Sequence, residues 1–234
     1  MGQGRGLSSF PVRKRSLIAL FVILAVIMAD QIVKFVVKTS MSLHERIDVT
    51  SWFQIFFTEN QGMAFGMDFV GTMVLTLCRV VAIVLFIFYL VRLIRKQASM
   101  ATIVSLALVI AGAVGNVIDN CLYGLIFTES PEVYLLQDPA SLVPIGQGYG
   151  EFLSGRVVDM FYFPLWRWPD SMPLVGGDVF FSAIFNVADA AITCGAVALF
   201  IIYYMQAWKE SKAEKAAKRA AEGVSETDAP IEKT

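Results

Sequence analysis

The chain has 234 residues, of which 56% are hydrophobic and 17% charged, and its formal net charge is −1. A mean hydropathy of +0.63 is far above that of an ordinary soluble domain, so the composition indicates a membrane protein. The three cysteines show neither a disulfide framework nor a metal-ligand spacing. The single histidine, His44, excludes a two-histidine zinc site, and a Ser–His–Asp triad would have to use it.

Four apolar stretches are each long enough to cross a bilayer core of roughly 30 Å. In chain order they are residues 17–37, 71–93, 100–127 and 179–205. Basic residues ahead of the first stretch are typical of a signal peptide. However, Asp30 and further charges follow with no small-residue cleavage site, so we predict an uncleaved helix.

Basic residues gather at three places: ahead of the first span, between the second and third, and after the fourth. By the positive-inside rule, these three places lie in the cytoplasm. Both termini are then cytoplasmic, and the segments of about 39–70 and 128–178 lie outside. The three clusters consist of Arg5, Arg13, Lys14 and Arg15; Arg92, Arg95 and Lys96; and Lys209, Lys212, Lys215, Lys218 and Arg219.

The two outer segments differ in character. Residues 47–57 are rich in β-branched and aromatic side chains, which predicts short strands. Residues 128–178 contain many prolines and glycines, which predicts irregular backbone resting on the membrane interface. We predict one membrane domain over 1–208 and a charged cytoplasmic tail over 209–234, helical at first and then disordered.

Charged side chains fall inside the predicted spans. Asp30 and Lys34 lie four residues apart on one face of the first helix, where they can form a structural ion pair. Asp189 falls about ten residues inside the fourth span, on the order of 15 Å from its start. An ionised carboxylate in hydrocarbon costs several kcal/mol, so Asp189 is a candidate functional residue.

Further polar residues fall at the same outer level. Asn116 and Asp119 are three apart on the third span, and Asn186 and Asp189 are three apart on the fourth. Asp159 approaches from the second outer segment. Two carboxylates that converge share a proton and can perform acid–base chemistry. Topology alone leaves open which carboxylates form that pair, and Asp119 either organises the site or belongs to it.

Three smaller features allow structural or functional interpretations. Gly112 and Gly115 are typical of closely packed membrane helices. Arg79 lies near the outer end of the second span, where we predict that it snorkels or has a structural partner. Residues 60–62 (Asn-Gln-Gly) indicate either a turn or a polar clamp on an extended peptide.

Five blocks of the sequence, in this order, resemble lipoprotein signal peptidase (signal peptidase II), the bacterial membrane enzyme family that removes signal peptides from lipid-modified prolipoproteins. Together with the four spans they extend over most of residues 17–205. The blocks are Asp-Gln-Ile-Val-Lys at 30–34, Asn-Gln-Gly-Met-Ala-Phe-Gly at 60–66, Gly-Ala-Val-Gly-Asn-Val-Ile-Asp at 112–119, Gly-Arg-Val-Val-Asp at 155–159 and Phe-Asn-Val-Ala-Asp at 185–189.

The resemblance implies a role for each matched residue. Asp159 and Asp189 are implied to be the catalytic pair. A second set is implied to support the site or bind the substrate: Asn60, Gly62, Asn116, Asp119, Asn186, Asp30 and Lys34. The implied fold is an all-α integral membrane protein, with four transmembrane helices and a small extracytoplasmic β-rich cradle.

The resemblance also implies the partners. The substrate is a diacylglyceryl-modified prolipoprotein, cleaved just before the modified cysteine, with the active site toward the outer leaflet of the bacterial inner membrane. We expect contact with membrane lipid, a monomeric state, inhibition by globomycin, and no metal, cofactor or nucleic acid. Without a metal, a Ser–His pair or a catalytic Cys, peptide hydrolysis would follow an aspartic mechanism.

The chain departs from the family pattern in three respects. Asn120 stands where an Arg commonly follows the Asp of the third block. The stretches from Asp119 to Asp159 and from Asp159 to Asp189 are both longer than usual. These differences concern the shape of the substrate entrance, including the insertion 128–154, and not the pair of aspartates.

Two other functions are compatible with carboxylates inside a membrane. A proton-coupled transporter predicts carboxylates spread across the membrane depth, with internal repeats. A non-catalytic scaffold would use the aspartates only to pair helices. The carboxylates are predicted to cluster on one side and no repeat is visible, so the peptidase is favoured.

Overall fold

The computed structural model describes residues 11–60 and 72–227. Four helices in these ranges are long and apolar enough to cross a membrane, which confirms the four predicted spans. A π-helical turn, Asp119–Tyr123, and the short α4 extend α3, and a 3₁₀ turn covers Val133–Leu135. The helices are α1 (Val12–Ser40), α2 (Thr72–Arg95), α3 (Met100–Ile118), α4 (Gly124–Ile126) and α5 (Val187–Thr227).

Four short antiparallel strands form one sheet in the order β1-β2-β3-β4. The sheet lies at the end of the bundle where α1 and α4 end and α2 and α5 begin. Strands β1 and β2 confirm the prediction for residues 47–57. The strands are β1 (Arg46–Asp48), β2 (Gln54–Asn60), β3 (Val157–Tyr162) and β4 (Ile184–Phe185).

The prediction of irregular backbone over 128–178 was wrong at β3. The strand is a short run of β-branched, aromatic and other apolar residues around one Asp, and its first four residues are buried. It pairs with β2 on one side, where Thr58 faces Asp159, and with β4 on the other. Fully buried strands lack the alternation of apolar and polar residues by which strands are usually recognised. The surrounding prolines and glycines therefore favoured irregular backbone.

Helix α3 is the central helix and packs against α1, α2 and α5. A Cβ atom at Gly112 would lie 2.2 Å from the Ala188 carbonyl oxygen, and one at Gly195 would lie 2.5 Å from the Ser105 carbonyl oxygen. Real side chains do not tolerate such distances. The close helix approach predicted from the small residues is therefore present, and it brings α3 against the start of α5.

The predicted start of the fourth span was wrong. Helix α5 begins at Val187 rather than at residue 179, so Asp189 lies in its first turn and not ten residues inside it. The residues before the helix include β4, whose apolar side chains have the hydropathy of a span. Asp189 thus belongs to a helix N-terminus, where backbone N–H groups and the helix dipole favour a carboxylate.

Candidate active site

Asp159 is positioned by β3 and is almost fully buried, with 4% of its surface exposed. The Asn186 Nδ2 donates a hydrogen bond to its Oδ1 at 2.6 Å. Burial, with the nearby negative charge of Asp189, raises the pKa of Asp159 to about 7, against the opposing effects of Lys34 and of the Asn186 hydrogen bond. Asp159 is therefore a carboxyl group that can carry a proton near neutral pH.

Asp189 is held by a reciprocal cap at the start of α5. Its backbone N–H donates to the Asn186 Oδ1 at 2.8 Å, and the Asn186 backbone N–H points back to the Asp189 Oδ2 at 3.4 Å. This exchange, between residues three apart, is a capping box. From the neighbouring helix, the Asn116 Nδ2 donates to the Asp189 Oδ1 at 2.8 Å.

Asn186 joins the two aspartates. Its Nδ2 contacts three oxygen atoms, those of Asp159 (Oδ1, 2.6 Å), Asn116 (Oδ1, 3.2 Å) and the Val158 carbonyl (3.2 Å). Its Oδ1 caps the backbone of Asp189. One fully buried amide thus bridges β3, α3 and α5.

Lys34 lies beneath this bridge and is completely buried. Its Nζ is 2.9 Å from Asp30 Oδ2, 2.7 Å from Asp119 Oδ2 and 2.8 Å from Asn116 Oδ1. The predicted pairing of Asp30 with Lys34 is present, and Asp119 is its second anionic partner. A buried ammonium is tolerated only with such compensation, and here each of its three N–H donors has an oxygen partner.

The two carboxylates beside Lys34 also hold the elements that carry the pair. Asp30 Oδ1 accepts the Ala188 backbone N–H at 2.8 Å, which fixes the first turn of α5. Asp119 Oδ2 accepts the Val158 backbone N–H at 3.3 Å, which fixes β3. Asp30 and Asp119 therefore each lie one layer behind a member of the Asp159–Asp189 pair.

Two predicted residues lie farther from the pair. Asn60 is the exposed last residue of β2, opposite Val157 of β3. Gly62 lies outside the described residues, and the turn or clamp at 60–62 stays a prediction. Arg79 has the predicted structural partner: its Nη1 donates to Asn120 Oδ1 at 2.9 Å.

Sequence reasoning missed several polar residues around the site. Gln31 donates to Asp119 Oδ1 at 2.8 Å, although it was visible inside the first motif block. Lys38 is fully buried and lies 2.5 Å from Glu59 Oε1 and 3.0 Å from Ser130 Oγ. The spacing of Lys34 and Lys38, four apart on one helical face, was the available signal.

The described residues contain no group of three His, Cys, Asp or Glu side chains arranged to hold a metal ion. Two carboxylates joined by one amide, backed by a buried ion cluster, can exchange protons with a water molecule and a bound substrate. Both residues reach the site from elements that the polar cluster fixes in place.

Comparison with known proteins identifies the family. The model of the signal peptidase (SPase) II family matches residues 22–205. A lipoprotein signal peptidase of Porphyromonas gingivalis is 44% identical over 190 residues, covering 79% of this chain and 81% of the relative. One of Amoebophilus asiaticus is 33% identical, covering 76% of this chain and 74% of the relative.

A solved structure shares the fold. It is a bacterial membrane enzyme determined by the in meso method at 1.9 Å resolution, with a TM-score of 0.52 at 22% identity. The match covers 79% of this chain and 91% of the solved one. A fold of four membrane helices with a small sheet, together with the family match over most of the chain, leads to one conclusion. The chain belongs to the signal peptidase II family, a family of membrane aspartic peptidases.

Proposed function

We propose that Asp159 and Asp189 are the catalytic pair with which this chain removes signal peptides from lipid-modified prolipoproteins. The observation that carries the proposal is the Asn186 bridge, which contacts the carboxyl group of buried Asp159 and caps the backbone of Asp189. The remaining polar residues hold the pair: Asn116 and Asn186 directly, and Asp30, Lys34 and Asp119 from behind.

The proposed chemistry follows from charge. Two close carboxylates do not both ionise readily, so the pair holds one proton and titrates as a unit. The ionised member takes a proton from a water molecule, which attacks the scissile carbonyl carbon. The protonated member donates to the carbonyl oxygen, and the pair then protonates the leaving amine. Burial around Asp159 excludes bulk water and strengthens each of these interactions.

The location of the pair suits a lipid-anchored substrate. Asp189 lies in the first turn of a membrane helix and Asp159 in the adjoining strand, so the reacting bond would lie at the membrane boundary. The acyl chains of a diacylglyceryl-cysteine would remain in the lipid and hold the preceding peptide bond at this level. Cleavage would then occur just before the modified cysteine.

The orientation follows from the basic residues. The end of the bundle opposite the sheet carries the basic last turn of α2, with Arg92 and Arg95, and the basic start of α1. By the positive-inside rule that end is cytoplasmic, which puts both termini inside and the pair near the outer leaflet. A proton-coupled transporter is not favoured, because the buried carboxylates of the described residues, Asp30, Asp119 and Asp159, all lie near the sheet end.

The proposal is tested with purified protein and a prolipoprotein carrying a diacylglyceryl-cysteine. We expect cleavage of the lipidated precursor, inhibition by globomycin, and no cleavage of a precursor whose modified cysteine is replaced by serine. The Asp159→Asn variant serves as the inactive enzyme. Equal cleavage of the lipidated and unlipidated precursors would contradict the proposed substrate.

A further inference from the structure

Between β3 and β4 the chain forms a hairpin over residues 164–180 that the catalytic proposal does not use. Its two legs are paired by backbone hydrogen bonds from Phe180 N–H to the Trp166 carbonyl (2.7 Å) and from Trp168 N–H to the Asp178 carbonyl (2.9 Å). Between these two pairs, Arg167 lies opposite Val179 in an antiparallel β-bridge. The hairpin is therefore an ordered element with its own backbone pairing.

One face of the hairpin is aromatic. It consists of three rings: Trp166 and Trp168 are two residues apart on the first leg, and Phe180 pairs with Trp166 from the second leg. The ring centroids are 4.5 to 6.1 Å apart. Trp166 is 52% exposed and Phe180 is 55% exposed. Trp168 is half-buried between them. Tryptophan is enriched at the boundary between membrane and water, where an apolar ring with a polar N–H is favoured.

The tip of the hairpin presents apolar side chains. Leu174 is fully exposed, and its neighbours Met172 and Val175 are more than a third exposed. Leu174 also has a φ of 72°, in the left-handed region, which is unfavourable for residues other than glycine. In water, Gly or Asn would be the ordinary choice at such a tip. A leucine there indicates an environment that favours its side chain.

The hairpin adjoins the membrane-spanning surface. Its second leg leads through β4 into α5, which begins at Val187 and is long and apolar enough to span a membrane. Its first leg follows Phe163, whose ring stacks on Phe53 at 4.8 Å and on Phe185 at 5.7 Å. A second group of aromatic rings thus lies at the base of the hairpin, around the strand that precedes the span.

The charge of the hairpin indicates whether electrostatic attraction or burial of apolar surface would hold it at a membrane. Its charged residues are Arg167, Asp170 and Asp178, so it carries no excess of positive charge. Attraction to anionic headgroups therefore contributes little, and burial of apolar surface must dominate.

We propose that the hairpin 164–180 inserts its aromatic face and Leu174 tip into the bilayer leaflet on the sheet's side of the bundle. Insertion anchors in the lipid the segment of chain that connects Asp159 with Asp189. A second copy of this chain is the alternative cover for the same apolar face. The inference concerns the lipid contact alone, so it stands or falls independently of the catalytic proposal.

The test uses the full chain in phosphatidylcholine vesicles, with an environment-sensitive fluorophore on a single introduced cysteine. The native cysteines are replaced by alanine, and circular dichroism and thermal unfolding verify the folding of each labelled protein. Leu174→Cys is the test position, with Met172→Cys as a second position on the same tip. Asp138→Cys, at an exposed carboxylate of another outer loop, reports water, and Phe88→Cys, 71% exposed on α2, reports lipid.

We expect the fluorophore at Leu174 to be quenched by nitroxide lipids, as at Phe88, and shielded from aqueous iodide, unlike at Asp138. Adding anionic phosphatidylglycerol should leave both results unchanged. Iodide quenching equal to that at Asp138 would overturn the proposal. So would lipid quenching that requires phosphatidylglycerol, or shielding from both quenchers that grows with the protein-to-lipid ratio, which would indicate a second copy.

Discussion

At the scale of single residues, Asn186 is the side chain on which the site depends most. Its amide nitrogen contacts Asp159 while its amide oxygen caps the helix that carries Asp189. The motif block Phe-Asn-Val-Ala-Asp at 185–189 is therefore also a capping box, which explains physically why its Asn and Asp are three residues apart. The sequence pattern alone had suggested only that both lie on one face of a helix.

Asn186→Ser should separate these two tasks. Serine is a good N-cap, so the cap should survive, and the loss of unfolding stability, about 1–3 kcal/mol, should come from the buried oxygens that lose the amide N–H. Serine lacks the amide donor, however, and loss of that hydrogen bond should slow cleavage about tenfold or more. Asn186→Ala, which loses both contacts, should be the less stable of the two. A Ser variant with the parent's cleavage rate would contradict the bridging role.

The pH dependence of cleavage should report the same contact. The pKa of Asp159 is raised to about 7, and the hydrogen bond from Asn186 lowers it against burial and the charge of Asp189. Above about pH 7 the pair loses its shared proton, so the rate of the parent enzyme should fall there. In Asn186→Ser the pKa of Asp159 rises, so the alkaline limb of the rate profile should move to higher pH. A limb that moves to lower pH would contradict the assignment.

At the scale of elements, the site depends on how closely α3 meets α5. Gly112 lies against the Ala188 carbonyl, one residue before Asp189, and Gly195 makes a similar contact with Ser105 farther along the same helices. Both glycines permit close packing, but of the two only Gly112 lies next to the proposed catalytic pair.

Gly112→Ala should therefore affect activity more than stability. Forcing a methyl group into the contact costs about 1–3 kcal/mol in either glycine variant. In Gly112→Ala the start of α5 must also shift, which displaces Asp189 and should lower the cleavage rate strongly. Gly195→Ala is the matched control, with a comparable loss in thermal stability and a smaller loss of rate. Equal rates for the two variants would contradict this account.

The ion pair of Lys38 with Glu59 links α1 to β2, and its two members should differ in their tolerance to replacement. Glu59 keeps the cation Arg156 at 3.2 Å if Lys38 becomes Met. If Glu59 becomes Leu, Lys38 loses its carboxylate and keeps neutral contacts, the Ser130 hydroxyl at 3.0 Å and the rings of Phe127 and Tyr149. An uncompensated buried charge costs about 3–5 kcal/mol.

We therefore expect Glu59→Leu to lower the unfolding temperature more than Lys38→Met. The double variant should recover much of the loss, because it leaves no stranded ammonium. Thermal unfolding of the four proteins in detergent measures this coupling. A double variant less stable than Glu59→Leu would contradict it.

At the scale of the whole molecule, the sequence predicted the four spans and the convergence of their polar residues. Hydropathy and charge placement determine these features, and both can be read locally. The start of α5 could not be read in this way, because β4 is as apolar as the span that it precedes. Two further features join distant parts of the chain: the Lys38–Glu59 ion pair, and the β2–β3 pairing that positions Asp159. A single sequence carries no signal for which distant residues pair.

The separation of Asp159 and Asp189 from Asp30 and Asp119 came from the family resemblance. The structure adds a physical reason for it. Asp30 and Asp119 share the Lys34 ammonium and each accept a backbone N–H group, so they are committed to structure.

The most direct test of the central claim measures cleavage of a lipidated prolipoprotein by Asp159→Asn and Asp189→Asn, with Asp138→Asn as an exposed control. Each substitution removes one carboxyl group while keeping its shape. We predict that both variants insert into the membrane and cleave more than about 100-fold more slowly than the parent, whereas the control cleaves at the parent's rate. Cleavage at the parent's rate by either variant would contradict the catalytic pair.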